Sequence, residues 1–470
     1  MSGQAIVPDL LSLSAIFPME RLDAKKCRGN RLRATPSNYS TTGYAGQMRK
    51  FRGLYISIAA WAFVLNTFLM RPAALGQEYV WVAMVLSPLI LGGYLLSRMR
   101  SVRSINSSDR RDILFIISAL ILYWLYEAPI GIIGDSDQIL LAKELLSSII
   151  VVICYGVFLI EREANIRFFR AFSTILALLG LSAAVTFALA LFVGTDALYL
   201  FPITVKGYGA TDPAAGEAVT GAVYFPMSML YGIYSTGDVD LNRYSNFFRE
   251  AGIYQAVSIF FLAYERLTRR SRWRTAGLIA GSILSYSTIG LLLLPLTGGL
   301  VYMTRRRVGI KTFIVVSIAG IAAVLSLIFT PGVGLTDKSD SHSTSVSDRS
   351  DAIWHGIAAI TTDPVGAGVY NLHSMQNSGI CLLAAIASIG IIGFAIQCVI
   401  LSGIRPGGKL INPKVIVCFP IFITALLSQP IAGAGMSYIL SMVAVPAVAM
   451  ATRRRSAPTS ASIGLVQPNS

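Results

Sequence analysis

Two arginines and a glutamate, Arg243, Arg249 and Glu250, sit in the stretch N-R-Y-S-N-F-F-R-E-A-G-I-Y-Q, Asn242 to Gln255, just before an apolar run from Ile253 to Leu262. A charge held within hydrocarbon costs roughly 2.5–3.5 kcal/mol per residue at mid-span and less near the surface. Arginines placed there suit an anion. Arg249 lies one helical turn before Ile253, so it opens the following helix on its buried stripe, where exposed N–H groups and the macrodipole favour negative charge. Its guanidinium adds bidentate donors matched to phosphate. The plainer alternative is snorkelling to lipid headgroups.

A second group lies further on. Ser347 caps a helix expected to run to about Thr361 and to stop at Asp363-Pro364. Arg349, Ile353, Ile357 and Ile360 then share one stripe, as in an amphipathic helix lying on a membrane surface with an arginine at its N-terminal end. Pro364-Val365-Gly366-Ala367-Gly368 makes a tight turn whose Gly366 and Gly368 would let backbone approach a ligand closely. All three histidines fall in this region. His342 lies among serines and reads as solvated, and His355, beside Trp354, as interfacial. His373, just before Gln376-Asn377, could face a substrate. Glu127 and Lys143 read as an interhelical ion pair.

These groups need elements to position them. The 470-residue chain is 54% hydrophobic and 13% charged, with mean hydropathy +0.63, about half the charge of a soluble protein. That composition describes an all-α polytopic membrane protein. Runs long enough to cross a bilayer fall at 53–70, 79–97, 113–133, 139–160, 171–193 and 251–266. They continue as a hairpin within 275–303 turning at Ser287 to Gly290, then 312–330, 377–402, and a second hairpin, 415–429 and 436–451, turning at Pro430 to Gly435. About 12 transmembrane helices result, between a basic tail, 1–52, and a tail at 452–470, both cytoplasmic; the integral membrane domain is 53–451. The first 50 residues do not read as a cleavable signal.

Of 39 Lys and Arg residues, 32 fall in segments assigned to the cytoplasmic side, and six (Arg71, Lys206, Arg243, Arg249, Lys338, Arg349) on the other. This asymmetry fixes the orientation. The +15 net charge is therefore a topological signal, and nucleic acid is not an expected partner. Two loops on the far side are long, 194–250 and 331–376, and long loops among short ones are where function is sought. Five cysteines, none paired in a loop, give no disulfide framework. No C-x-x-C or H-E-x-x-H pattern offers a metal site, and no cofactor is expected.

The stretch R-Y-S-N-F-F-R-E-A-G-I-Y-Q resembles the arginine, small, aromatic, R-E-P-G signature of the O-antigen polymerase and ligase family, most like its exopolysaccharide and O-antigen repeat-unit polymerase branch. S-Y-S-T-I-G (285–290) is similar to that family's serine/threonine–glycine turn. Arg349 with Trp354, D-P-V-G-A-G (363–368), N-S-G (377–379) and I-G-I-I-G (389–393) resemble its second-loop pattern in order and spacing. The resemblance covers about 170–400. Two departures stand out: Ala251 replaces the family's proline, and Gln376, rather than histidine, precedes Asn377, unlike the ligase branch.

The resemblance implies a GT-C-like membrane glycosyltransferase in the bacterial inner membrane, with both long loops periplasmic. It would polymerise undecaprenyl-pyrophosphate-linked repeat units into surface polysaccharide without a metal, beside a membrane protein that sets chain length. Arg249 and Arg349 would hold pyrophosphate with help from Arg243, Gly366, Gly368 and Asn377, and Glu250 or His373 would take the acceptor proton. A ligase acting on lipid A–core and a lipid or polysaccharide transporter are the competing readings.

Overall fold

The computed structural model describes residues 41–98, 107–204, 220–236, 239–268, 271–305, 315, 343–371, 380–404 and 412–445. Residues 1–48 and 49–470 form separate compact units, and all that follows concerns the second. His342, His373, Asn377 and the expected span 312–330, apart from Val315, lie outside the described residues.

Twelve α-helices are described: α1 (Thr41–Thr67), α2 (Val80–Arg98), α3 (Ser107–Ile133), α4 (Gln138–Leu159), α5 (Arg162–Val193), α6 (Ala251–Thr268), α7 (Arg272–Leu284), α8 (Thr288–Arg305), α9 (Ser343–Thr362), α10 (Ile386–Ser402), α11 (Pro413–Leu427) and α12 (Gly435–Ser441). Caps set several boundaries. Asp137 accepts from Ile139 and Leu140 N–H to start α4, and Asn412 does the same for α11 with Pro413 at its first position.

The chain is a helical membrane protein, but the expected spans are only partly found. Among the described residues, four helical segments are long and apolar enough to cross a bilayer: Val80–Ser97, Arg110–Ile133, Gln138–Leu159 and Arg162–Val193. Gly53–Thr67, Thr288–Thr304, Ile386–Ser402 and Pro413–Leu427 are apolar but shorter. The described part of the run 377–402, from Ile380 on, becomes helix only from Ile386 and breaks at Gly390, where φ is +64°. Of the run 436–451, the described part ends at Val445 and holds only the seven-residue α12. Hydropathy detects burial and cannot tell lipid from protein as the thing that covers a residue. The run 275–303 does divide into two helices, α7 and α8, but they are separated at Ser285–Ser287, and Thr288 to Gly290 of the expected turn already belong to α8.

α6 is the axis. From Ala251 to Phe261 every residue is buried, because α5, α7, α8 and α11 all pack on it. A helix apolar on every face must lie inside the bundle. Glu265 near its end is paired with Arg274 of α7, Nε to Oε1 at 3.0 Å, and accepts from Ser173 of α5.

The expected all-α class needs a second correction. Loop 194–250 holds a four-stranded antiparallel sheet in the order β1 (Tyr199–Thr204), β2 (Thr220–Tyr224), β3 (Ser228–Thr236), β4 (Val239–Tyr244). Its strands are rich in Tyr, Val, Ile and Thr, which suit a pleated, half-buried surface. They are too short to register as organised structure beside longer apolar helices.

α9 starts four residues earlier than its Ser347 cap implied and ends as expected before Asp363. Its buried stripe is Ala352, Gly356 and Ala359, packed on residues 383–384 and α10, rather than the isoleucine stripe. Ile357 and Ile360 are exposed, and small residues let the backbones come close. His355 is exposed beside exposed Trp354.

Candidate functional site

The Asn242–Gln255 stretch folds into a turn that feeds α6. Asn246 and Phe247 adopt positive φ, +45° and +68°. For asparagine this is tolerable; for phenylalanine it is a strained conformation of the kind held only where surroundings over-determine it. The surroundings are the segment between α1 and α2. Ala74 N–H donates to Phe247 O at 2.8 Å, Arg249 N–H donates to Pro72 O at 3.2 Å, and Ala73 bridges Phe248. Phe248, fully buried, meets Phe68 and Tyr254 edge-on or tilted. Arg249 and Glu250 are thereby fixed, partly buried, at the head of the central helix.

The same short segment carries Arg71, which joins elements far apart in sequence. Its guanidinium lies 3.6 Å from Glu144 of α4 and acts on the Tyr370 phenol of the second long loop, while its carbonyl accepts from Met436 N–H at the head of α12. Burial, then the Glu144 charge, push the Tyr370 phenol above its ordinary range, with Arg71 pulling the other way. That phenol is therefore a hydrogen-bond donor at every ordinary pH.

A cavity of about 260 Å³ opens at this junction, lined among others by Arg71, Glu144, Tyr370, Ser388, Gln397 and Cys381. Cys381 also feels the Arg349 charge of α9, although burial dominates and pushes its thiol up. Of the expected residues, then, Arg249 is tied to the Arg71 segment and Arg349 to the cavity's Cys381 edge. Arg243 is part of the sheet, on β4, where pairing with β3 is irregular between Leu230 and Ile233.

The close approach expected at Gly366 and Gly368 is made here to protein. With φ of +88° and +92°, they pack backbone to backbone: a side chain at Gly366 would collide with Ser388 and Gly390, and one at Gly368 with Gly131 and Ser136. Gly368 N–H donates to Ser388 O at 2.9 Å, and Ile391 N–H to Pro364 O at 3.0 Å. Asn371 donates to Gly134 O at 2.6 Å. The turn clamps the second loop onto the broken head of α10 and the α3–α4 corner.

The expected Glu127–Lys143 pair is absent. Lys143 is exposed, whereas Glu127 is fully buried and neither carboxyl oxygen has a hydrogen-bond partner. Gly393 of α10 makes room for it, since a Cβ there would lie 2.6 Å from Oε1. Glu127 stands one helical turn from Tyr123 and Trp124, which line the cavity.

Sequence reading missed Arg71, Glu144 and Tyr370. Arg71 had a usable signal, being one of six cations expected on the far side and standing at the end of an apolar run before a proline. Glu144 and Tyr370 had none, because their role comes from meeting Arg71 across 73 and 299 residues of chain. Among the described residues no cluster of His, Cys, Asp or Glu could hold a metal. No protein family, curated protein or solved structure matches the chain.

Proposed function

We propose that this protein is a membrane-embedded glycosyltransferase that polymerises undecaprenyl-pyrophosphate-linked repeat units. The observation that supports it best is the convergence of Arg71, the Arg249 turn and the Arg349 helix on one junction of otherwise distant loops. Loss of a pyrophosphate leaving group demands stabilisation of charge growing on phosphate oxygens, and fixed guanidinium groups supply it. Arg249 and Arg349 would hold the pyrophosphate. Attack of an acceptor hydroxyl on the anomeric carbon then forms the new C–O bond as the bond to phosphate breaks. Glu250, at the head of α6, would accept the acceptor's proton.

A second reading, transport of a lipid-linked glycan, draws on Glu127, since a buried, unpartnered ionisable group within a span is a common mark of transporters. One experiment separates the readings: lipid-linked glycans and surface polysaccharide are profiled in cells carrying Arg249→Ala, Arg349→Ala or Glu127→Gln in place of the parent. Accumulated single repeat units with long polymer lost in both arginine variants support polymerisation. Long polymer retained on undecaprenyl but missing from lipid A–core makes the protein a ligase. Single units trapped on the cytoplasmic side, above all with Glu127→Gln, make it a transporter.

A further inference from the structure

The sheet carries an apolar face that neither the cavity nor the arginines use. From Ala171 to Thr204 the only charged residue is Asp196, and Thr220 to Thr236 has none. Phe192 is 86% exposed at the end of α5, and Phe225 and Met227, in the β2–β3 turn, are 50% and 48% exposed. Leu200 and Phe201 of the edge strand β1 are exposed beside them.

The depth of that turn follows from its hydrogen bonds. Met227 N–H donates to Ser182 Oγ at 3.0 Å, and Thr186 Oγ donates to Phe225 O at 2.7 Å. Arg170, exposed near the start of α5, marks the basic interface. At 1.5 Å per residue, Ser182 and Thr186 stand about 18 and 24 Å along the helix from Arg170, inside the distal half of a hydrocarbon core of about 30 Å. Backbone groups at that depth must be satisfied by protein. Phe225 N–H donates to Leu198 O at 2.8 Å, Pro226 has no N–H to satisfy, and α5 hydroxyls take the two groups above. Both N–H groups of the turn and the Phe225 carbonyl are thus met by protein.

We infer that the β2–β3 turn, with Phe225 and Met227 at its tip, inserts into the distal leaflet beside α5 and anchors the sheet to the acyl chains of the bilayer. Its occupant is phospholipid, because the turn continues the outward apolar face of α5, where Leu178 and Val185 are exposed.

The test places the photoreactive amino acid p-benzoylphenylalanine singly at Phe225, Met227, Leu178 or Asp196 in the full chain. Each variant is reconstituted in phosphatidylcholine/phosphatidylglycerol vesicles after passing size exclusion as a single species. Mass spectrometry then reads the adducts formed on irradiation. The expected result is phospholipid adducts at Phe225 and Met227 matching the yield at Leu178, and their loss at Asp196, beyond the end of α5. Lipid adducts at Leu178 with none at Phe225 and Met227 would overturn the inference. So would adducts of twice the chain mass at the turn, which would make the face a contact between copies. Two tip positions keep the test decisive if one variant fails to fold.

Discussion

Replacing Arg274 with methionine removes the charge partner of buried Glu265. Glu265 is 1% exposed and Arg274 10%, with Nε to Oε1 at 3.0 Å and a second contact, Nη2 to Oε2, at 3.2 Å. After the change, Glu265 keeps the Ser173 hydroxyl as a donor, Oγ to Oε1 at 3.0 Å. Stripping one partner from such a pair costs about 3–5 kcal/mol, because a buried charge is left uncompensated. Removing both charges costs far less, since the desolvation penalty disappears with the attraction. The double variant Glu265→Gln/Arg274→Met keeps a side chain that can still accept from Ser173, and should recover about 1–3 kcal/mol of the loss as coupling energy. Equilibrium unfolding in detergent, followed by intrinsic fluorescence for the parent, both single variants and the double, measures all four corners of the cycle. A single Arg274→Met within about 1 kcal/mol of the parent would refute the argument, as an exposed pair behaves that way. A double variant as unstable as the two singles added would refute it too.

The other predictions concern the site and its supports. Arg249→Lys and Arg349→Lys should retain part of the polymer that the alanine variants lose, because lysine keeps the charge without the bidentate fork; gel profiles of surface polysaccharide read this. Gly366→Ala should destabilise the chain by about 1–3 kcal/mol or misplace the second loop, since φ is +88° and backbone of α10 occupies the Cβ position; thermal unfolding checks it, with Gly298, which has open space around it, as the control glycine. Asn165→Ala should cost about 1–3 kcal/mol, because its amide bonds Met442 O at 3.0 Å and Ala444 N–H at 3.0 Å in a fully buried site; faster proteolysis after residue 441 is the readout. Burial raises the Tyr370 and Tyr244 phenols above their ordinary value. The unfolded chain therefore loses those protons first, and stability should hold through neutral pH and fall as pH rises above about 10. Unfolding midpoints between pH 7 and 11 test that sign.

Composition alone was enough to say that this is a helical membrane protein, because a bilayer demands long uncharged runs and 13% charge leaves few alternatives. Local chemistry was legible as well. The stop before Asp363-Pro364, the division into α7 and α8 and the position of Arg249 at the head of a buried helix all depend on neighbours in sequence. The sheet was not legible, since four short strands with tyrosine and threonine look like a polar loop beside helices of 18 or more residues. Nor was the kink at Gly390, which exists because Val365 and Gly366 press against it. Only tertiary structure decided that Gly366 and Gly368 face protein and that Glu127 has no partner. It also decided that Arg71 joins Glu144, Tyr370 and α12. The physical reason is common to all of these: each depends on which long-range surfaces meet, and no periodicity along the chain encodes the identity of a partner hundreds of residues away.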